Sequence, residues 1–177
     1  MANTWRATSQ AVAYASGKSM LDLANESDSA RILRAYRMYH FNNGTAAVTG
    51  VLTTMRVYRQ VVGASAPTGG ATVTPVAHDT GNSALDAGST AGTGRTITDG
   101  DLFRQYLWSN DEPAVSAATM DEWELFVPFA EIWNAGYGDS NVQPIVCRAA
   151  EGVHIKQQGT SAVGSADFEI EFTDAGT

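Results

Sequence analysis

Three histidines, His40, His78 and His154, are the side chains best suited to metal binding or proton transfer, and they lie far apart with no ligand-spaced pair. A zinc site would need them to converge with carboxylates, so separate strand or surface histidines are the plainer reading. Asp121, Glu122 and Glu124 could supply the acid and base of glycoside hydrolysis. Alternation along a strand puts Glu122 and Glu124 on one side, opposite Trp123, which is also the pattern of a solvated face. Asp79, Asn82 and Asp86 offer oxygens to a calcium ion, but not at EF-hand spacing. Gly88 to Arg95 is glycine-rich, lacks the Gly-Lys-Ser/Thr ending of a phosphate loop, and reads as a plain loop. Cys147, the single cysteine, sits in the strand-like run Ile145-Val146-Cys147-Arg148 and reads as a small buried apolar residue. The residues therefore predict no catalytic group, no bound metal and no cofactor, and the chain reads as a non-enzyme.

The elements that would carry these residues are β-strands. In the last quarter, Val153 and Ile155, then Phe168, Ile170 and Phe172, alternate with polar residues at a period of two. That is the signature of half-buried antiparallel strands. Residues 3–15 alternate around Ala7, Val12 and Tyr14, and 19–25 place Leu21 and Leu23 together. Residues 30–42 hold arginines at helical spacing, Arg31, Arg34 and Arg37, but no capping box precedes them. Their aromatics and the closing Asn42-Asn43-Gly44 favour a strand, with the arginines pairing to acidic neighbours on a sheet face. Val51 to Val62 reads as a strand that makes a long hairpin-like pair with 30–42. Leu102 to Trp108 is apolar on both sides, as a central strand would be. Residues 122–127 read as a strand, with a short helical turn after Thr119 as the alternative. Further strands are expected near 143–149, 152–158 and 165–173.

Two segments stand apart. Gly63 to Gly100 is rich in Gly, Ala, Ser and Thr, and a structureless loop of that length calls for a function or a neighbour to order it. The run Ile132 to Gly138 reads as a turn at one end of a sandwich. Its Trp133 and Tyr137 either fold back as a lid on the core, the commoner outcome, or serve as an interface anchor.

Composition sets the outer limits. A chain of 177 residues, 44% hydrophobic and 17% charged, supports one sizeable core. With 19 acidic against 11 basic side chains, the net charge of -8 disfavours a nucleic-acid groove. No apolar run approaches a membrane span, and the N-terminus lacks a secretory layout. The expectation is one all-β domain over residues 1–177, a jelly-roll-type antiparallel β-sandwich with a loop excursion at about 63–100.

Several short passages come in a telling order. Met1-Ala2-Asn3-Thr4 leads into the first strand, and Phe41-Asn42-Asn43-Gly44-Thr45 closes the aromatic one. Arg56-Val57-Tyr58-Arg59-Gln60, Thr74-Pro75-Val76-Ala77-His78-Asp79 and Glu151 to Gln158 follow, before the final Phe168-Glu169-Ile170-Glu171-Phe172. This order resembles that of small jelly-roll structural proteins of tailed bacteriophages. The resemblance implies a capsid decoration or cement protein, made in the host cytoplasm and bound to the capsid exterior. It would be a homotrimer partnered with the major capsid protein, with no nucleic acid and no membrane. A phage tail or host-recognition component, or a carbohydrate-binding β-sandwich using Trp108, Trp123, Trp133 or Tyr137 as sugar platforms, are the rival expectations.

Overall fold

A computed structural model describes residues 3–43, 51–110, 129–136, 142–159 and 164–176. Every element among them is a strand: β1 (Asn3–Ala13), β2 (Ser19–Asn25), β3 (Arg31–Asn42), β4 (Val51–Val61), β5 (Ala71–Val73), β6 (Val76–Ala77), β7 (Ser89–Thr93), β8 (Thr98–Asn110), β9 (Phe129–Asn134), β10 (Ile145–Cys147), β11 (Glu151–Gln158) and β12 (Ser165–Gly176). They form two antiparallel sheets. Sheet A runs β10-β3-β12-β1-β6, with β9 also on β3, and sheet B runs β5-β7-β2-β11-β4-β8. β9 and β10 lie end to end along one edge of β3, at Arg37–Phe41 and Leu33–Ala35 respectively.

The pairing is nested. First strand meets last (β1 with β12), second meets next-to-last (β2 with β11), β3 meets β9 and β10, and β4 meets β8. The cross-links β12 to β3 and β11 to β4 close each sheet. A chain folded back on itself in this order and wrapped into two layers is a jelly roll. Alternation supplies the core. Trp5 and Ala7, Leu33 and Met38, and Phe168, Ile170 and Phe172 of sheet A meet Leu21, Leu23, Met55, Val57, Val153 and Ile155 of sheet B. Each large apolar side chain removed from water contributes about 1.5–3 kcal/mol.

Several expectations need correction. β3 and β4 are consecutive strands but not a hairpin; they belong to facing sheets. Both carry an apolar stripe, Leu33, Ala35 and Met38 on one and Met55 and Val57 on the other, and both stripes are buried in the core between the sheets. β8 is not central but lies at the end of sheet B among the described residues. A register shift against β4 between Val57 and Tyr58 rotates its faces, so Phe103 packs inward with Tyr106 and Trp108 while Leu102 and Leu107 are exposed. Ile132, Trp133 and Asn134 are the end of β9, not a turn; the chain turns only at Gly136, with φ +66°.

The glycine-rich stretch is not structureless: it contributes three strands to the two sheets. β6 extends sheet A beyond β1, and β7 with β5 extends sheet B beyond β2, so the excursion builds the same side of the sandwich in both layers. Its carboxylates tie its own bends: Asp79 accepts from the Gly81 N–H at 2.8 Å, and Asp86 from the Gly88 N–H at 3.0 Å. The Asn82 amide donates to the Thr4 carbonyl. Residues 88–95, read as a loop, contain β7. The predicted strand 122–127 and the turn after Thr119 lie outside the described residues.

Candidate functional site

Alternation that buries Ala7, Met38, His40 and Ile170 turns Arg6, Tyr39, Glu169 and Glu171 outward on sheet A. Register sets them in rows. Phe129 stands opposite Phe41, and Phe41 opposite Asp167; Glu131 stands opposite Tyr39, and Tyr39 opposite Glu169; Arg37 stands opposite Glu171, and Glu171 opposite Arg6. Arg6 Nη2 donates to Glu171 Oε1 at 2.6 Å, and its Nε lies 3.3 Å from Glu169 Oε1. Burial pushes the Glu169 carboxyl up, with Arg6 opposing the shift. Two hollows adjoin this network. One of about 250 Å³ is lined by Thr4, Tyr36, Glu171, Phe172 and Thr173, and a shallower one of about 350 Å³ by Arg6, Val76 and His78. Between the pairs Glu171–Arg37 and Phe172–Ala35 the register slips, and the extra residue is Tyr36 at the rim of the first hollow. Bulges commonly re-aim a side chain in this way.

The outer side of sheet B is covered over β2 and β11, while Leu107 of β8 stays exposed. The chain leaves β7 beside β2 and must reach β8 beside β4, so the link after Thr93 crosses the sheet. Arg95 lies over Gly92, where any Cβ would collide with its guanidinium, and it donates to Asp22 Oδ1 at 3.0 Å. Burial pushes the Asp22 carboxyl up to about 6 against the pull of Arg95. Asp99 accepts from Lys156 Nζ at 2.7 Å and lies 3.2 Å from His154 Nε2. Burial lowers His154 to about 4, against the opposing pull of Asp99. His154 and Asp22 face each other across β2 and β11, both wholly buried.

His40 occupies the core itself. Its ring stacks between Trp108 and Phe168, at centroid distances of 3.8 and 4.4 Å. Nδ1 is 3.1 Å from the Tyr106 hydroxyl and Nε2 is 3.3 Å from that of Tyr14. A neutral imidazole has one donor and one acceptor nitrogen, so one hydroxyl donates and the other accepts. Burial drives the His40 pKa down to about 3. This is a polar clamp between the sheets, closed to reactants.

The sequence-level candidates therefore scatter. His40 and His154 are both fully buried, on different sheets, and His78 borders the shallow hollow. Cys147 is buried in β10, its thiol pushed up to about 12 by burial. Arg31 lies 3.7 Å from Asp174, and Arg37 faces Glu171, so these two arginines meet acidic neighbours as expected. Trp108 is no sugar platform, because it is buried with its indole N–H on Asn42 Oδ1. Trp133 stands opposite Met38, partly buried against the core, with its ring 5.9 Å from Phe103. Tyr137, Trp123, Asp121, Glu122 and Glu124 lie outside the described residues. Sequence reasoning missed Tyr39, Phe41 and Phe129 as a group, although the outward parity of 39 and 41 on a strand was available. Among the described residues no three His, Cys, Asp or Glu side chains are grouped to hold a metal ion. Set against known protein families, curated proteins and solved structures, the chain matches none.

Proposed function

We propose that the chain is a virion structural protein, a decoration or cement protein that binds the outer surface of a phage head and reinforces its lattice. Its partners in this reading are the major capsid protein and further copies of itself, as a homotrimer. The supporting observation is the nested strand order, β1 with β12 and β2 with β11, which agrees with the jelly roll that the sequence resemblance implies. Such a role asks for a rigid module displayed in many copies. Three of the sheet-edge strands, β5, β6 and β10, are only two or three residues long, although β8 at the end of sheet B has 13. The trimer rests on the resemblance alone, because the 63–100 segment finds its partners within one chain. Deleting 64–95 would remove β5, β6 and β7 and so tests the fold, not the assembly.

The deciding experiment mixes the purified chain with phage heads and follows co-sedimentation. Saturable binding at a fixed copy number, together with heads that resist heating longer, supports the role. Heads that sediment without the chain at every concentration overturn it. Sedimentation equilibrium of the free protein tests the trimer separately.

A further inference from the structure

The outer face of sheet A combines two things that seldom occur together on a solvated surface. The first is a line of aromatic rings. Tyr36 borders the hollow of about 250 Å³, and Tyr39 and Phe41 follow on the same strand with ring centroids 5.9 Å apart. Phe129 continues the line from β9, 6.1 Å from Phe41 and 52% exposed. The Tyr39–Phe41 and Phe41–Phe129 pairs are tilted by only 33° and 32°, so these three rings make a shallow track. The second is a flank of charged groups in register with those rings. Asp167, Glu169 and Glu171 lie along β12, with Arg6 bridging the last two from β1. Thr173 adds a buried hydroxyl beside the hollow that has no hydrogen-bond partner among the described residues.

A pyranose ring presents an apolar C–H face and a rim of hydroxyls. Aromatic rings match the first, and carboxylates beside a guanidinium match the second, because charge-assisted hydrogen bonds are the strong ones. The flank on β12 is acidic at Asp167, Glu169 and Glu171, which disfavours a polyanion, and Arg6 already neutralises the last two, which leaves little for a polycation. A protein partner fits less well, since protein interfaces are depleted of Asp and Glu and here Asp167, Glu169 and Glu171 lie beside the rings. We propose that this face binds a neutral polysaccharide strand, stacked along Tyr36, Tyr39, Phe41 and Phe129 and hydrogen-bonded at its rim by Arg6, Glu169 and Glu171. The site stands on its own geometry and holds whether or not the chain decorates a phage head.

Native affinity electrophoresis tests it. The full chain is run in gels containing laminarin, glucomannan, xyloglucan, galactan or dextran, with alginate and chitosan as charged controls. At least one neutral polysaccharide slows the protein, and Phe129→Ala and Tyr39→Ala each weaken that binding by about tenfold or more. Glu171→Gln weakens it too, while far-UV circular dichroism and the urea midpoint of Phe129→Ala stay those of the parent. Should Tyr39→Ala lose its fold, the exposed Phe129 carries the test alone. Migration unaffected by every neutral polysaccharide overturns the proposal, as does retardation that survives both aromatic substitutions. Retardation by alginate or chitosan alone overturns the neutral assignment. If Phe129→Ala instead releases the chain from phage heads and no glycan retards it, the face is a protein-docking surface. Failure of the parent chain to bind heads leaves the electrophoresis result untouched, so the two readings fall separately.

Discussion

Arg6 on sheet A and Arg95 on sheet B both reach a carboxylate on the side facing away from the core, yet 45% of the Arg6 side chain is exposed and only 5% of the Arg95 side chain. The residue types are alike, but Arg6 lies on β1 and Arg95 in the link after β7. The difference comes from the path of the chain. Sheet B is crossed by the link between β7 and β8, which brings Arg95 and Asp99 down onto Asp22, His154 and Lys156. Among the described residues no such crossing covers the rings of sheet A. Charges under a cover lose water and must be matched by partners, whereas charges in the open keep their water and interact weakly. The same chemistry is thus structural on one face and available for contact on the other.

Acid should give the largest effect, and it acts on the covered half and the core. Folded pKa values of about 4 for His154 and about 3 for His40 lie below the ordinary 6.5. The unfolded chain therefore takes up protons first. The stability tied to keeping these rings neutral is fully present above pH 6.5 and lost as pH falls through about 4 and then 3. Asp22 has the opposite sign: raised from 3.8 to about 6, its contribution is full below pH 3.8 and lost as pH rises through 6. Glu169 and Asp174, also raised by burial, share the sign of Asp22. The two histidines carry the larger shifts, so a net loss of stability on acidification is expected, at ~1.4 kcal/mol per pKa unit. Urea midpoints at pH 7, 5 and 4 should fall in that order for the parent and for Arg6→Ala alike. A midpoint that rises toward pH 4 would break the comparison, by showing that the histidines are not held neutral.

The ion pair under the link comes next. Asp22→Ala leaves a guanidinium buried that cannot shed its proton, and should cost about 3–5 kcal/mol in urea denaturation. Arg95→Met should cost less, because Asp22 can go neutral, and the deficit should shrink between pH 7 and pH 5. Equal costs with no pH dependence would mean that water reaches the pair. The smallest effect belongs to sheet A: Arg6→Ala should cost less than Asp22→Ala, because the Arg6 guanidinium keeps much of its water even though Glu169 and Glu171 are only 12% and 8% exposed. A loss as large as that from Asp22→Ala would show the two faces to be alike after all.

Much of this was legible one strand at a time. The alternation of Val153 and Ile155, and of Phe168, Ile170 and Phe172, placed those residues in the core, where all are fully buried. It also placed Arg37 on a sheet face toward an acidic neighbour, and it marked Cys147 as buried and unreactive. Errors arose wherever a distant segment decided. A slip in the β4–β8 register turned Phe103 inward and left Leu107 exposed, which no period-two reading of 102–108 contains. Gly152 looked like any strand glycine, yet a Cβ there would collide with the backbone carbonyl of Leu23 on β2. Such close backbone approach is one of the reasons a strand keeps a glycine.

By itself the sequence determined strand content, the inward residues of most strands and the single-core scale of the molecule. These follow from side-chain alternation and from the area an apolar chain must bury, both of which are properties of the local sequence. Only the tertiary structure decided that β3 and β4 face each other across the core, that 63–100 builds a side of the sandwich, and that His40 and His154 are sealed from water. It alone brought Tyr36, Tyr39 and Phe41 of β3 into line with Phe129 of β9. Pairing partners, register slips and the route of a crossing link depend on contacts between residues scores of positions apart, and alternation within a strand carries no record of them.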